Sequence, residues 1–472
     1  MLKVLICASE VAPIIKLGGL GDVVGSLPKS LEKIGVDADV VVPFVPSAKI
    51  EGLKVYKSLD MQVPYGGEIR TINVCATKLP GSFVDVYMLK NDRFFGEAGK
   101  SAFLNSIAET KIFSFFSRCV VELIKTRFNT YDVVHCNDWH TGLITHILED
   151  ELHLERPATI MTIHNLSYQG VGDTQILKGV GLDPSGHKTI EWDISDGDVN
   201  FLMQGIASAD FINTVSPSYA RELLVQEDSS KISQVLTSRQ DRFIGILNGL
   251  DYSSYPRNFD TNNYQSAKSS AKKDLARELG ISLGDAPVFS VITRLDPNQK
   301  GLDILLEVLP EIVERGGKFI LLGSGNQEWE EKFKELAKKF GANNVSINTT
   351  FDTGLAARIY ASSDFFLIPS KFEPCGLTQM ISMWYGAIPV VHAVGGLRDT
   401  VKEGKTGFLF DEYSASAFKK SLNKCFNTYK SPLHSDMIKE CLQADFSFDK
   451  SAKSYKELYE KAIQIRQDAF VE

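Results

Sequence analysis

The sequence predicts an α/β protein built from two doubly wound, parallel-sheet domains. Three observations carry this. The chain has 472 residues, too many for one ordinary core and enough for two. Short continuous apolar runs alternate with longer runs of helical spacing, the pattern of strands buried on both faces by crossover helices. Loops rich in glycine and charge recur where those strands end, the edge at which open α/β sheets take their ligands.

In the first half, Lys3–Ala8 reads as a strand. The loop Lys16-Leu17-Gly18-Gly19-Leu20-Gly21 follows, and Asp22–Ile34 has helical spacing that Gly35 stops. Ala38–Val42 is a second strand. Residues 50–100 read as β-rich, with turns at Tyr65-Gly66-Gly67 and Pro80-Gly81, and Ala102–Phe128 as a long apolar helix. The strand Tyr131–Cys136 ends in Asn137-Asp138-Trp139-His140. The strand Ala158–Ile163 ends in His164-Asn165-Leu166-Ser167-Tyr168-Gln169-Gly170. Residues 171–200 read as a surface excursion, Ala209–Ser216 as a strand and Phe243–Leu247 as another. A polar stretch without periodicity, Tyr252–Gln265, marks the domain junction.

The second half repeats the alternation. Strands are expected at Val288–Thr293, Lys318–Leu322, Val345–Ile347, Asp364–Ile368 and Ile388–Val391. Helices are expected at Leu302–Glu314, Gln327–Lys339, Leu355–Tyr360 and from Leu377 to Trp384. A long polar helix near Ser451–Arg466 is expected to return to the first domain. The domains are set at 1–247 and 248–450, with 451–472 as the terminal helix, and a cleft is expected between the strand ends.

Composition excludes several classes. Hydrophobic residues make up 43% and charged residues 23%, as in soluble globular proteins. The net charge is −8 and no long basic block occurs, so neither nucleic acid nor anionic membrane is an expected partner. Seven cysteines are scattered without a C-x-x-C pair, which argues against a disulfide framework and for a reducing compartment. The apolar start Met1–Ala8 is closed by Ser9-Glu10, too short for a signal peptide, and no run approaches a membrane span. A cytoplasmic protein is expected.

The chemistry concentrates in three loops. In Pro369-Ser370-Lys371-Phe372-Glu373-Pro374-Cys375-Gly376-Leu377-Thr378-Gln379, one carboxylate stands at a strand's carboxyl end, beside a helix start whose N–H groups are free for an anion. That pairing suits a ligand with both hydroxyls and phosphate, such as a sugar nucleotide. Lys16, Arg294 and Lys300 are cations on phosphate-sized loops, able with the helix starts to neutralise a diphosphate without a metal. A dinucleotide fingerprint at Gly19, Gly21 and Gly25 fails: it is one residue too long, and the second strand lacks a ribose-binding acid. The only D-x-D strings, Asp37-Ala38-Asp39 and Asp196-Gly197-Asp198, are poorly placed for a metal. No metal and no cofactor is expected.

Together these strings resemble the bacterial glycogen and starch synthases, retaining glycosyltransferases of the GT-B fold with two Rossmann-like domains. Those carrying the resemblance are Lys16-Leu17-Gly18-Gly19-Leu20, Asn137–His140, Thr162–Leu166 with Tyr168–Gly170, Leu247-Asn248-Gly249, Gln299-Lys300-Gly301 and Glu373–Gln379. They run in the family's order over nearly the whole chain. The resemblance implies a catalytic and acceptor domain followed by a nucleotide-sugar-binding domain, and transfer of glucose from ADP-glucose to the non-reducing 4-hydroxyl of an α-1,4-glucan. It implies a catalytic set of Glu373, His164, Arg294, Lys300 and Asp138. Arg294 and Lys300 would hold the diphosphate, with Gly19 and the N–H groups of Leu377 and Thr378 on phosphates. Glu373 would fix the donor sugar, Cys375 and Gly376 its hydroxyls, and His164 the glucose. Asp22, Asp138, Asn165 and Asn248 would line the sugar side, Lys16 would stand by donor or acceptor, and Phe351 would stack on the base where relatives commonly have Tyr. The Arg294–Lys300 loop is one residue longer than in many relatives, Gly21 stands where Ala is frequent, and His392-Ala393 replaces a pair that is more basic in some relatives. A UDP-glucose-using synthase, another retaining transferase with a different acceptor, and a non-catalytic glucan-binding protein are the alternatives. Oligomeric state is left open.

Overall fold

The structure, a computed structural model, describes residues 1–96, 107–127, 130–225, 230–350 and 352–471. The chain divides into two compact units. The first comprises Met1–Gly249 and Ser447–Glu472, the second Leu250–Phe446.

The strands of the first unit are β1 (Leu2–Cys7), β2 (Val36–Pro43), β3 (Tyr56–Tyr65), β4 (Glu68–Lys78), β5 (Asp85–Lys90), β6 (Val133–Asn137), β7 (Ala158–Ile163), β8 (Val171–Asp173), β9 (Asp198–Asn200), β10 (Phe211–Thr214) and β11 (Phe243–Gly245). Among the described residues nine of them form one sheet in the order β11-β10-β7-β6-β1-β2-β5-β4-β3. It is parallel from β11 to β5, and β4 and β3 continue it as antiparallel strands. Alternation along β1 sends Leu5 and Cys7 into one core and Val4 and Ile6 into the other, so both faces are covered. From β1 the chain winds outward to β2 on one side and later to β6 on the other. The order therefore reverses between β1 and β6, and a crevice opens at their carboxyl ends.

The second unit carries β12 (Val288–Ile292), β13 (Lys318–Leu322), β14 (Val345–Asn348), β15 (Phe365–Ile368), β16 (Ile388–His392) and β17 (Phe408–Phe410). All pair in parallel, in the order β14-β13-β12-β15-β16-β17. Here the reversal lies between β12 and β15, with Phe289 opposite Phe365 and Ser290 opposite Phe366.

The α/β fold with two doubly wound sheets is as the sequence predicts, the first sheet being extended by the antiparallel strands β4 and β3. Three local readings are corrected. The excursion 171–200 is not a bare surface loop. It holds β8 paired with β9 and the helices Gln175–Val180 and Lys188–Asp193, and buries Ile176, Leu177, Leu182 and Ile190. The polar stretch ends earlier than read, because Tyr264–Leu279 is a helix whose few apolar positions hid its period. The terminal helix Phe448–Val471 is polar only on one side. Phe448, Ala452, Tyr455, Tyr459 and Ala462 recur at helical spacing and are buried in the first unit. Its Tyr459 hydroxyl lies 3.0 Å from His135 Nδ1, and Asn213 Nδ2 donates to the Tyr455 hydroxyl at 3.2 Å. Of the predicted helix Ala102–Phe128, Ile107–Thr126 is observed, and 102–106 and 128 lie outside the described residues.

Candidate active site

In the first unit the predicted residues gather on loops leaving β1, β6 and β7. The glycine loop after β1 opens the helix Gly19–Lys33, so Gly19 is its first residue and Asp22 lies in its first turn. Lys16 Nζ meets Asp22 Oδ1 at 2.7 Å. A residue that sequence reasoning passed over holds this loop in place. Glu10, 5% exposed, accepts the N–H groups of Leu17 (2.5 Å) and Gly18 (2.8 Å) on Oε2. Burial pushes its carboxyl above the usual range against those hydrogen bonds. A Cβ on Gly21 would stand 3.0 Å from the same oxygen, which accounts for glycine there. The available signal was a carboxylate just past a strand's end and just before a glycine loop.

Asp138 follows β6 with φ +56° and ψ 178°, a conformation nearly reserved for glycine and worth roughly 1–3 kcal/mol of strain. Its Oδ1 accepts the His164 N–H at 2.7 Å, tying the loop after β6 to the loop after β7. Burial raises this carboxyl to about 7, with the nearby Glu10 adding to the rise. Asn137, also missed, fixes the imidazole. Its Nδ2 donates to the carbonyls of Cys7 (3.1 Å) and His135 (3.2 Å), so its Oδ1 must accept from His164 Nε2 at 2.9 Å. His164 thus carries its proton on Nε2 and offers Nδ1 as an acceptor. Burial lowers its pKa to about 3, so the ring is neutral at physiological pH. Asn165 Oδ1 accepts the Ser167 N–H at 3.0 Å and shapes the turn after β7. At Gly170, φ is +66° and a Cβ would lie 2.3 Å from the buried Trp139 ring, so this glycine closes the loop against the indole. Asn248 is 5% exposed, and its Oδ1 is buried with no hydrogen-bond partner among the described residues. An orphaned buried acceptor is rare and marks a ligand contact or a stored cost.

In the second unit the loops after β12 and β15 flank the point where strand order reverses. Arg294 is exposed and has no partner among the described residues. Lys300 reaches across: its Nζ lies 2.8 Å from Glu373 Oε2, which also accepts the Ser370 hydroxyl at 2.9 Å. The side chains of Lys300 and Glu373 are 16% and 12% exposed. Glu373 Oε1 has no partner among the described residues. The two loops touch closely. Gly301 has φ +64°, and a Cβ there would stand 1.9 Å from the Pro369 carbonyl oxygen. The Lys371 N–H donates to the Gln299 carbonyl at 2.8 Å. His392 Nδ1, 2.7 Å from the Ser370 carbonyl, steadies the residue that steadies Glu373.

Cys375 is buried, Gly376 is half-buried with φ +72°, and Leu377 caps the helix Thr378–Trp384 without a side-chain bond. Gln379 Nε2 donates to the carbonyls of Cys375 (3.1 Å) and Gly376 (2.9 Å), and the Gly396 N–H to the Glu373 carbonyl at 3.1 Å. These braces, again missed, hold the Glu373–Thr378 turn from both sides. Phe351 lies outside the described residues. Among the described residues no three His, Cys, Asp or Glu side chains cluster to hold a metal ion.

Each unit thus presents polar groups at a sheet's reversal point. The first offers a neutral imidazole, buried carboxylates and a glycine loop. The second offers two cations, one carboxylate and a helix start, a set fitted to an anionic, hydroxyl-bearing ligand. Comparisons with known proteins agree. Residues 3–238 match the family model described as starch synthase catalytic domain, and residues 273–441 the model for glycosyl transferases group 1. The chain is 38% identical over 487 residues to the glycogen synthase of Geotalea daltonii, covering 97% of this chain and 98% of the relative. It is 38% identical over 490 residues to the glycogen synthase of Thermosipho africanus, covering 98% and 100%. Among solved structures, the catalytic domain of starch synthase IV from Arabidopsis thaliana, bound to ADP and acarbose, superposes with a TM-score of 0.88 at 30% identity over 98% of this chain and 99% of that one. A sucrose-phosphate synthase from Thermosynechococcus elongatus shares the fold at TM-score 0.62 and 18% identity, over 98% and 99%. The fold is GT-B, and the chain belongs to the glycogen and starch synthase family of glycosyltransferases.

Proposed function

We propose that this glycosyltransferase moves glucose from ADP-glucose to the 4-hydroxyl at the non-reducing end of an α-1,4-glucan. Configuration is retained, no metal or cofactor is needed, and the reaction runs in the cytoplasm. The first unit supplies the catalytic and acceptor side, the second the nucleotide-sugar side. The observation that carries this reading is Glu373, with Oε2 held by Lys300 and Ser370 and Oε1 left for the donor sugar.

The engaged carboxylate is a poor nucleophile, because its charge is already shared with an ammonium and a hydroxyl. Glu373 therefore positions the sugar, with Cys375 and Gly376 on its hydroxyls. Arg294 and Lys300 stabilise the charge that builds on the diphosphate as the C1–O bond breaks, and the N–H groups of Gly19, Leu377 and Thr378 share it. The acceptor O4 attacks C1 from the face the nucleotide leaves, and its proton passes to a diphosphate oxygen. His164, neutral and with Nδ1 open, accepts from a glucose hydroxyl. Asp138 orients it through the His164 N–H, Asp22, Asn165 and Asn248 line the sugar side, and Lys16 stands by the donor or acceptor. Phe351 stacks on the base. The starch synthase structure holding ADP supports an adenine donor.

The test is incorporation of radiolabelled glucose into a glucan, from ADP-glucose or UDP-glucose, with EDTA present. Incorporation from ADP-glucose is expected. Incorporation only from UDP-glucose overturns the donor, and loss of activity in EDTA overturns the metal-free scheme.

A further inference from the structure

The amino-terminal edge of the first unit's sheet, opposite Asp138 and His164, holds a cavity of about 640 Å³ that the reaction does not use. It lies where Arg156 precedes β7, Asp210 precedes β10, and the end of the helix Phe448–Val471 closes over both. Its walls carry more cations than the acids around them can balance. Arg156 is matched: Asp210 accepts from it at 2.6 and 2.9 Å, and Glu149 at 3.2 Å. Asp468 is held by Gln464 at 2.7 Å. Among the described residues Arg239 donates only to the carbonyls of Ala207 and Ala209, and Arg466 only to the carbonyl of His153. Lys188 is exposed and without a partner among the described residues.

Three further facts show that the site is incompletely satisfied. Arg156 Nε and Arg466 Nε are buried without acceptors among the described residues. Arg242, which also lines the cavity, has among the described residues only its neighbour Asp241 as an ionic partner, at 3.6 Å. Arg239 and Arg466 are each held below the usual arginine range, first by burial and then by a neighbouring arginine, Arg242 for one and Arg156 for the other. Cations that are crowded and desolvated, with donors to spare, are stabilised by an anion among them.

We propose that this cavity is a second ligand site, which takes a small sugar monophosphate. Planar guanidinium groups match the geometry of phosphate oxygens. The space exceeds what inorganic phosphate fills, and the carboxylates of Glu149 and Asp468 in its walls can accept a sugar's hydroxyls. Such a ligand ties the end of the terminal helix to the sheet edge through Arg466.

The experiment is calorimetric titration of the full-length protein with ribose 5-phosphate, inorganic phosphate and ribose. Ribose 5-phosphate is expected to bind at one site, phosphate more weakly, and ribose not at all. Arg466→Gln and Lys188→Ala should each weaken ribose 5-phosphate about tenfold or more while glucose transfer stays unchanged. Hydrogen exchange over 465–469 should slow on binding in the wild type. The proposal is overturned if ribose 5-phosphate gives no binding heat, or if ribose binds as well. It is equally overturned if both variants bind like wild type, or if binding is lost in Lys300→Ala instead.

Discussion

Replacing Gly301 by alanine tests how the loops after β12 and β15 are held together. Gly301 stands at φ +64° and caps the helix Leu302–Glu314. Alanine in that conformation costs roughly 1 kcal/mol. The larger effect is steric. The new Cβ would lie 1.9 Å from the Pro369 carbonyl oxygen, whereas ordinary contact begins near 3.4 Å, so the two loops must part by about 1.5 Å. The pair between Lys300 Nζ and Glu373 Oε2, now at 2.8 Å, bridges those same loops and cannot survive the shift in its present geometry. A misplacement of this size lowers transfer about 100-fold. Gly280→Ala is the control: its φ is +63°, at the end of the helix Tyr264–Leu279, with nothing within 4 Å of a new Cβ. It pays the same backbone strain and should keep the wild-type rate. Initial rates of glucose incorporation, with chemical unfolding of both variants, make the comparison. A wild-type rate in Gly301→Ala, or an equal loss in Gly280→Ala, refutes the reasoning.

The raised carboxyls of the first unit predict a stability profile. Asp138 titrates at about 7 when folded, against an ordinary value near 4. Its contribution is full below pH 4 and is lost as pH rises through 7, on the order of 4 kcal/mol. Asp138→Asn keeps an acceptor for the His164 N–H and removes the ionisation. It should therefore flatten the fall in unfolding free energy between pH 4 and 8; an unchanged slope would show that Asp138 is not the titrating group. Glu10→Gln should flatten the same fall to a smaller degree, measured in the same denaturant series.

Much of the architecture was legible because parallel strands buried on both faces read as continuous apolar runs. Lys318–Leu322 and Ala158–Ile163 appear in the sequence with the bounds the structure gives them. The strand ends were legible for the same reason, and with them Glu373, Lys300, Asp138 and His164. What was missed has a different physical character. Glu10, Asn137 and Gln379 act through side-chain hydrogen bonds to backbone groups and Ser370 through one to the Glu373 carboxylate, and no hydrophobic period announces such bonds. The helix Tyr264–Leu279 was missed because its buried side includes Lys268, whose ammonium is satisfied by the carbonyls of Ala361, Ser363 and Tyr385 rather than by an apolar pattern. In 171–200, glycine and aspartate dominate the composition and hide the few apolar residues that anchor it. That Lys16 pairs with Asp22, and Lys300 with Glu373, also needed the folded loops, since sequence spacing alone does not set which carboxylate a lysine meets.

The measurement that bears most directly on the central claim is glucose transfer by Lys300→Ala and Glu373→Ala, each checked for folding by its unfolding transition. The pair is half-buried at the end of a sheet, and neither side chain builds the core. Both variants should therefore unfold cooperatively while transferring glucose about 100- to 1000-fold more slowly. A folded variant of either residue that transfers at near the wild-type rate would contradict the assignment of donor binding and leaving-group stabilisation to this pair.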